Sequence, residues 1–266
     1  MTQLLPVINI SARTLPEAWE RSVLECWEKG TRIKTEYDRP EDPTSRDTTA
    51  IIVITEPLSE PRIHRAFPAG LDDLEVYRQE VVFGVHDHWI APQEGKWQYT
   101  YHERLFKYKV EGKIIDQIQY CIDKLVQAPH TRRAQAVTWK TWEDENIHDP
   151  ACLQRLWFRI IDDALCLNVH MRSNDAYKAA FMNIFAFTDL QRIVAEKVSE
   201  KLGKIIRVGQ YVHIADSYHI YGSYFGEFEG FLKTVKERNF EDRVWDSSFA
   251  EPYFDMARER LAQEKK

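Results

Sequence analysis

Residues 175–202 read as one long helix that is apolar over much of its girth, and this feature most limits how the chain can fold. Phe181, Ile184, Phe185, Phe187, Leu190, Ile193, Val194 and Val198 leave little of its circumference polar, and Gly203 follows as a stop. Such a helix is largely buried, so other elements have to cover it. Just before it, residues 156–161 and 165–171 read as the arms of a β-hairpin turning at residues 162–164. In the second arm Leu165, Leu167, Val169 and Met171 alternate with Cys166, Asn168, His170 and Arg172, which gives one face to the core.

The flanking sequence supplies more of both element types. Thr14-Leu-Pro-Glu17 has the form of a capping box, and Ala18, Trp19, Val23, Leu24 and Trp27 follow at helical spacing up to Gly30. Residues 34–49 read as a polar loop and residues 50–54 as a buried strand. Helices are expected over residues 71–83, 114–126 and about 222–238. Strands are expected over residues 134–139 and 205–213, and a charged helix or tail over about 245–266. Strands and helices interleave without a regular βαβ rhythm, which predicts an α+β fold, a mixed sheet packed by helices, within a single domain spanning 1–266.

Composition limits the function classes. A hydrophobic content of 44% and 12% aromatics argue for a packed core and against disorder. The net charge of −6 argues against bulk nucleic-acid binding. Residues 1–7 have no cationic start followed by an apolar run, and no stretch is long enough to span a bilayer. Cys26, Cys121, Cys152 and Cys166 show no paired spacing, which points to free thiols in a reducing, cytoplasmic setting. His86-Asp-His88 lacks a third ligand at diagnostic spacing, so no metal is expected. Glycine-rich phosphate motifs and a G-x-S-x-G elbow are absent.

Several residues carry chemistry. Cys152 follows Asp149-Pro150-Ala151 at a loop-to-strand junction, where a thiol can face a cleft and nearby arginines would favour the thiolate. Its bland reading is a small core residue. Arg172 beside Ser173, and the pair Arg132 and Arg133, are surface arginines in the bland reading and oxyanion ligands in the sharper one. Asn183 lies in an apolar helical stretch, where an amide can cap backbone groups or read a base edge. His219 and Tyr221, two apart, share a strand face.

Taken together, these residues resemble the thymidylate synthase family, clearly over residues 115–229 and loosely over the N-terminal third. The resemblance implies a two-fold dimer formed through a sheet face, a pyrimidine nucleoside monophosphate as substrate, and a reduced pterin. That pterin is 5,10-methylene-tetrahydrofolate or a methanopterin-like analogue. Cys152 aligns with the nucleophile, Glu80 in Gln79-Glu-Val-Val-Phe83 with the glutamate that organises water, and Tyr101 with the tyrosine of the proton network. Arg172, Ser173 and either Arg46 or Arg39, with Arg46 preferred, match phosphate contacts. Arg132 and Arg133 match those donated across the dimer. Asn183 matches the amide that reads uracil, and His219 and Tyr221 the pair on the sugar hydroxyl. Asp175, His86, Trp89 and Ala179 fall on the pterin side. Departures are Leu153 for a histidine after the nucleophile, Ala179 for a glycine, His86 for a tryptophan that shields a reactive methylene, and a C-terminus without an apolar tail.

The resemblance implies methyl transfer to C5 of dUMP through a Cys152 adduct at C6. The runner-up is a pyrimidine-nucleotide hydroxymethylase acting on dUMP, CMP or dCMP. A third reading is a non-catalytic nucleotide- or RNA-binding protein.

Overall fold

The computed structural model describes residues 4–264. In chain order the elements are β1 (Val7–Ala12), α1 (Leu15–Lys29), β2 (Thr31–Ile33), β3 (Ser45–Ile54), β4 (Ile63–His64), α2 (Leu71–Phe83), α3 (Tyr101–Phe106), β5 (Tyr108–Val110), β6 (Lys113–Ile115), α4 (Gln117–Gln127) and β7 (Gln135–Val137). There follow α5 (Thr141–Asp144), β8 (Leu153–Ile161), β9 (Ala164–Asp175), α6 (Ala180–Leu202), β10 (Arg207–Ile220), α7 (Phe225–Glu237), β11 (Val244–Trp245) and α8 (Ser247–Glu264).

The main sheet runs β1-β3-β10-β9-β8-β7, with β2 added to β3. The pairs β1/β3 and β9/β10 are parallel; β3/β10, β8/β9 and β7/β8 are antiparallel. The expected α+β mixed sheet is therefore present. One face packs against α1, α4 and α6, while α2 covers α6 and α8 covers α2. Ile10, Ile52, Leu156, Phe158, Leu167 and Val169 are buried on that face against Phe181, Ile184 and Phe187 of α6. Trp19 of α1 is fully buried, edge-on to Phe181, and its indole N–H donates to Ala176 O at 2.9 Å. Burying such a side chain contributes roughly 1.5–3 kcal/mol, and the bond removes the cost of a buried donor. On the opposite face Val53, Asn168 and Trp157 are only partly covered, with Val212 buried in the same row.

The β8–β9 hairpin turns at Asp162 and Asp163, both at positive φ (48° and 58°), a conformation that aspartate tolerates better than most residues. Gly203 ends α6 in the left-handed conformation, as anticipated.

Other expectations need correction. The α6 helix begins at Ala180 rather than 175, because the Asp175 carboxylate takes the N–H groups of Tyr177 and Lys178 into a turn first. The α4 helix starts after Asp116, whose side chain caps Gln119 N–H, so Ile114 and Ile115 lie on the exposed β5–β6 ribbon. Thr14 makes no side-chain cap, and Glu17 instead accepts Arg13 N–H. Strand β3 begins within residues expected to be loop, β10 runs on past the expected end at residue 213 to carry His219, and β1 was not anticipated although Val7–Ala12 alternates exposed and buried. The C-terminal segment is helix.

Candidate active site

A cavity of about 280 Å³ opens beyond the carboxyl ends of the parallel strands β9 and β10, against the first turns of α6 and the start of β8. Hairpin register brings its key groups together. Leu153 pairs with Met171, and Arg172 N–H donates to Cys152 O at 2.8 Å, so the thiol residue and the arginine sit side by side on neighbouring strands. The Arg172 guanidinium also holds the preceding turn, donating to Ala151 O (3.2 Å) and Pro150 O (2.5 Å). Cys152 is part-buried and lines the cavity. Burial raises its thiol pKa, Arg172 opposes that, and Asp149 adds to it. Arg172 thus favours the thiolate, as expected, but desolvation outweighs it.

Ser173, Asp175, Ala179, Asn183, His219 and Tyr221 line the same cavity. Asp175 sits on β9 opposite His219, and burial raises its pKa to about 6. A register shift between Ala215 and Tyr218 re-aims the end of β10. Beyond it Ser217 Oγ donates to Asp47 (3.0 Å) and lies 3.1 Å from His219 Nδ1. With the serine proton given to Asp47, Nδ1 carries the imidazole hydrogen. His219 Nε2 is then a buried acceptor without a partner among the described residues. Burial lowers the pKa of His219 to about 4, so the ring is neutral near pH 7.

Tyr77 and Tyr101 line this cavity and an adjoining one of about 240 Å³, whose wall also includes Glu80, Trp97, Tyr99 and Thr100. Tyr101 Oη accepts the Leu153 N–H at 3.3 Å, and burial holds its phenol far above the ordinary range. The phenol therefore stays protonated and can pass a proton only in concert with water. Burial raises the Glu80 carboxyl, while a 2.6 Å bond to His86 Nδ1 pulls it back. His86 stacks on Trp89 at 3.7 Å, and its Nε2 lies 3.4 Å from Glu264 at the end of α8.

Some expected site residues lie elsewhere. His86 and Trp89 form the layer behind Trp97 and do not line the second cavity; Trp97, edge-on to Trp89 at 5.1 Å, does. Arg46 does not reach either cavity: its guanidinium sits over the Trp27 ring at 4.8 Å with Nε buried and unpartnered. Arg39 lies in the exposed segment between β2 and β3 and does not line the cavity either, although Tyr37 two residues earlier does. Arg132 and Arg133 are exposed beside Gln117 and Tyr120, away from the thiol.

Sequence reading passed over Tyr37, Tyr77, Trp97, Tyr99 and the Asp47–Ser217 pair. Tyr77 had a usable signal, since it stands one helical turn before Glu80 on the same helix. Gly222 was likewise unremarked. Its N–H bonds Ser45 Oγ, and a Cβ there would overlap the Pro43 carbonyl oxygen, so only glycine lets the 34–44 segment close against β10. Among the described residues no group of three or more histidines, cysteines or carboxylates is arranged to hold a metal, and no helix is long and apolar enough to cross a membrane.

Fold and site together define a protein with a thiol-bearing polar cleft joined to an aromatic one. The family described as thymidylate synthase matches residues 69–242. A protein of Methanocaldococcus jannaschii bearing the name "Putative thymidylate synthase" is 31% identical over 221 residues, covering 81% of this chain and 91% of that one. A like-named protein of Methanococcoides burtonii is 31% identical over 207 residues, covering 78% and 89%. The thermostable thymidylate synthase A of Bacillus subtilis shares the fold at a TM-score of 0.60 and 18% identity, covering 80% of this chain and 82% of that one. The chain belongs to the thymidylate synthase family, and so to the one-carbon transferases.

Proposed function

We propose that the protein methylates C5 of dUMP to give dTMP, with Cys152 as the nucleophile. One observation carries this reading: Cys152, Arg172, Ser173, Asn183, His219 and Tyr221 converge on one cavity. Arg172 and Ser173 receive the phosphate, and Arg39, on the exposed segment that carries Tyr37 to the cavity wall, turns inward to join them when the anion binds. Arg46, held over Trp27, is unsuited to that task. The unpartnered His219 Nε2 accepts a sugar hydroxyl, and Tyr221 two residues on lines the same wall. Asn183 faces the ring carbonyl at C4.

Arg172 meets the phosphate beside the sulfur, the Cys152 thiol gives its proton to water in the cavity, and the resulting thiolate adds to C6 as the ring π-electrons shift toward C5 and the C4 oxygen. The Asn183 amide donates to the oxygen on which that charge accumulates. Tyr101, held protonated next to Leu153 N–H, relays the C5 proton to water. Glu80, whose pKa burial raises, is the carboxyl placed to exchange a proton at the second cavity. Thiolate departure from C6 then restores the ring.

The second cavity fits a flat heterocycle: Trp97, Tyr99 and Tyr101 offer aromatic walls and Glu80 a carboxyl. We assign it to a reduced pterin, as family members use methylene-tetrahydrofolate, with Asp175 and Ala179 meeting the pterin from the thiol cavity. Bound there, the pterin supplies a carbon at the oxidation level of formaldehyde and the hydride that completes a methyl group. A second reading is hydroxymethylation, and the Glu80 carboxyl favours it, since it lines the second cavity, is held from behind by His86, and can order a water there. Incubation with dUMP and methylene-tetrahydrofolate, followed by mass spectrometry of the nucleotide, decides between them. A methyl increment supports our reading, and a hydroxymethyl increment overturns it.

We also place the protein in the cytoplasm, consistent with its free thiols. We propose a homodimer through the partly covered sheet face, with Arg132 and Arg133 donated to the partner's phosphate site. Mixing Arg133→Ala subunits with Cys152→Ala subunits should then restore part of the activity. No recovery would argue against a shared site.

A further inference from the structure

Asn183 has two different ends, and the protein occupies one of them. Tyr77 Oη donates to Asn183 Oδ1 at 2.5 Å, from a tyrosine that lines both cavities. The phenol stays protonated because it is desolvated, and among the described residues Asn183 Oδ1 is the one acceptor its hydrogen reaches. Among the described residues Asn183 Nδ2 has no hydrogen-bond partner, and Asn183 lines the cavity that holds the thiol. A flipped amide could donate Nδ2–H to the phenol oxygen, but it would leave the buried phenol hydrogen without an acceptor among the described residues.

We propose that Tyr77 is a specificity-determining positioning residue: by holding Oδ1 it fixes the Asn183 amide with its N–H donors toward the ring. The site thereby selects a pyrimidine with a keto oxygen at C4 and rejects one with an amino group there. This deepens the nucleotide reading given above and rests on it. An amide free to turn would offer its oxygen to the C4 amino group of cytosine. One fixed by Tyr77 meets that amino group with a second donor, and a buried site that leaves such groups unpaired discriminates strongly. Neither the strand residues around Cys152 nor Arg172 contributes to this choice, since they meet parts of the nucleotide that uracil and cytosine share.

The test is calorimetric titration of the full chain with dUMP and with dCMP, for the wild type and Tyr77→Phe. We expect the wild type to favour dUMP by about 100-fold and Tyr77→Phe to narrow that ratio about tenfold, mainly through tighter dCMP binding. Circular dichroism establishes that the variant is folded; should Tyr77→Phe not fold, Tyr77→Leu carries the same comparison. A wild type that discriminates and a folded variant with an unchanged ratio overturn the role of Tyr77 and leave the nucleotide reading standing. A wild type that binds dUMP and dCMP equally also overturns the inference alone. A wild type that binds neither overturns the functional reading and the inference with it.

Discussion

The two adjoining cavities are built by different means. The one around Cys152 is framed by long strands and the start of α6, so backbone register alone places Arg172 beside the thiol and His219 opposite Asp175. The one around Glu80 is framed by α2 and by short, irregular segments over residues 84–101, fastened by side chains: His86 to Glu80, Thr100 and His102 to Asp87, Trp97 to Trp89. Ladder hydrogen bonds form cooperatively and resist single substitutions, whereas each side-chain fastening can be removed alone. The first cavity should therefore lose function mainly through its reacting groups, and the second through the contacts that orient them.

Cys152→Ala should break the contrast most sharply. Turnover should fall at least about a thousandfold with dUMP affinity within a few-fold of the wild type, checked by product formation and calorimetry. Arg172→Ala should raise the KM for nucleotide about 100-fold, because both the anion contact and the clamp on Pro150 and Ala151 are lost. Arg172→Lys should recover little, since a single ammonium cannot replace a fork.

On the aromatic side, His86→Phe keeps the stack on Trp89 and removes the bond that lowers the Glu80 pKa. Activity at neutral pH should change about tenfold or less, while the apparent pKa assigned to Glu80 in the pH–rate profile should rise. An unmoved profile would mean that Glu80 does not titrate in the reaction.

The smallest effect concerns stability. Buried His213 bridges Tyr211 and Asn174, and burial lowers its pKa from 6.5 to about 3. A depressed folded-state value means that its contribution is whole above about pH 6.5 and is lost as pH falls toward about 3. Between pH 7 and pH 5 this removes about 2 kcal/mol. Asp47 and Asp175, raised to about 6, act with the opposite sign, gaining stability as pH falls from about 6 toward the ordinary 3.8. Comparing urea unfolding of His213→Gln with the wild type at both pH values isolates the histidine: the variant should lose less on acidification.

The same contrast explains what was legible in the sequence. Period-two alternation in residues 165–171 and the apolar girth of α6 report on continuous elements. From them, and from the spacing of Arg172, Ser173, Asn183 and His219, the first cavity could be anticipated. Nothing periodic marks Trp97 or Tyr99, whose positions follow from short turns and ring contacts between distant residues. Arg46 misled for a related reason. Proximity to a strand gave no hint that its own strand would extend to Ser45 and lay the guanidinium on Trp27.

Gly222 shows how a residue with no chemistry of its own governs access. Because the chain there leaves no room for even a methyl group, the strap holding Tyr37 lies flush against the mouth of the cleft. Any larger residue would prop that strap outward, drawing Tyr37 away and widening the doorway while the groups on β9, β10 and α6 kept their places.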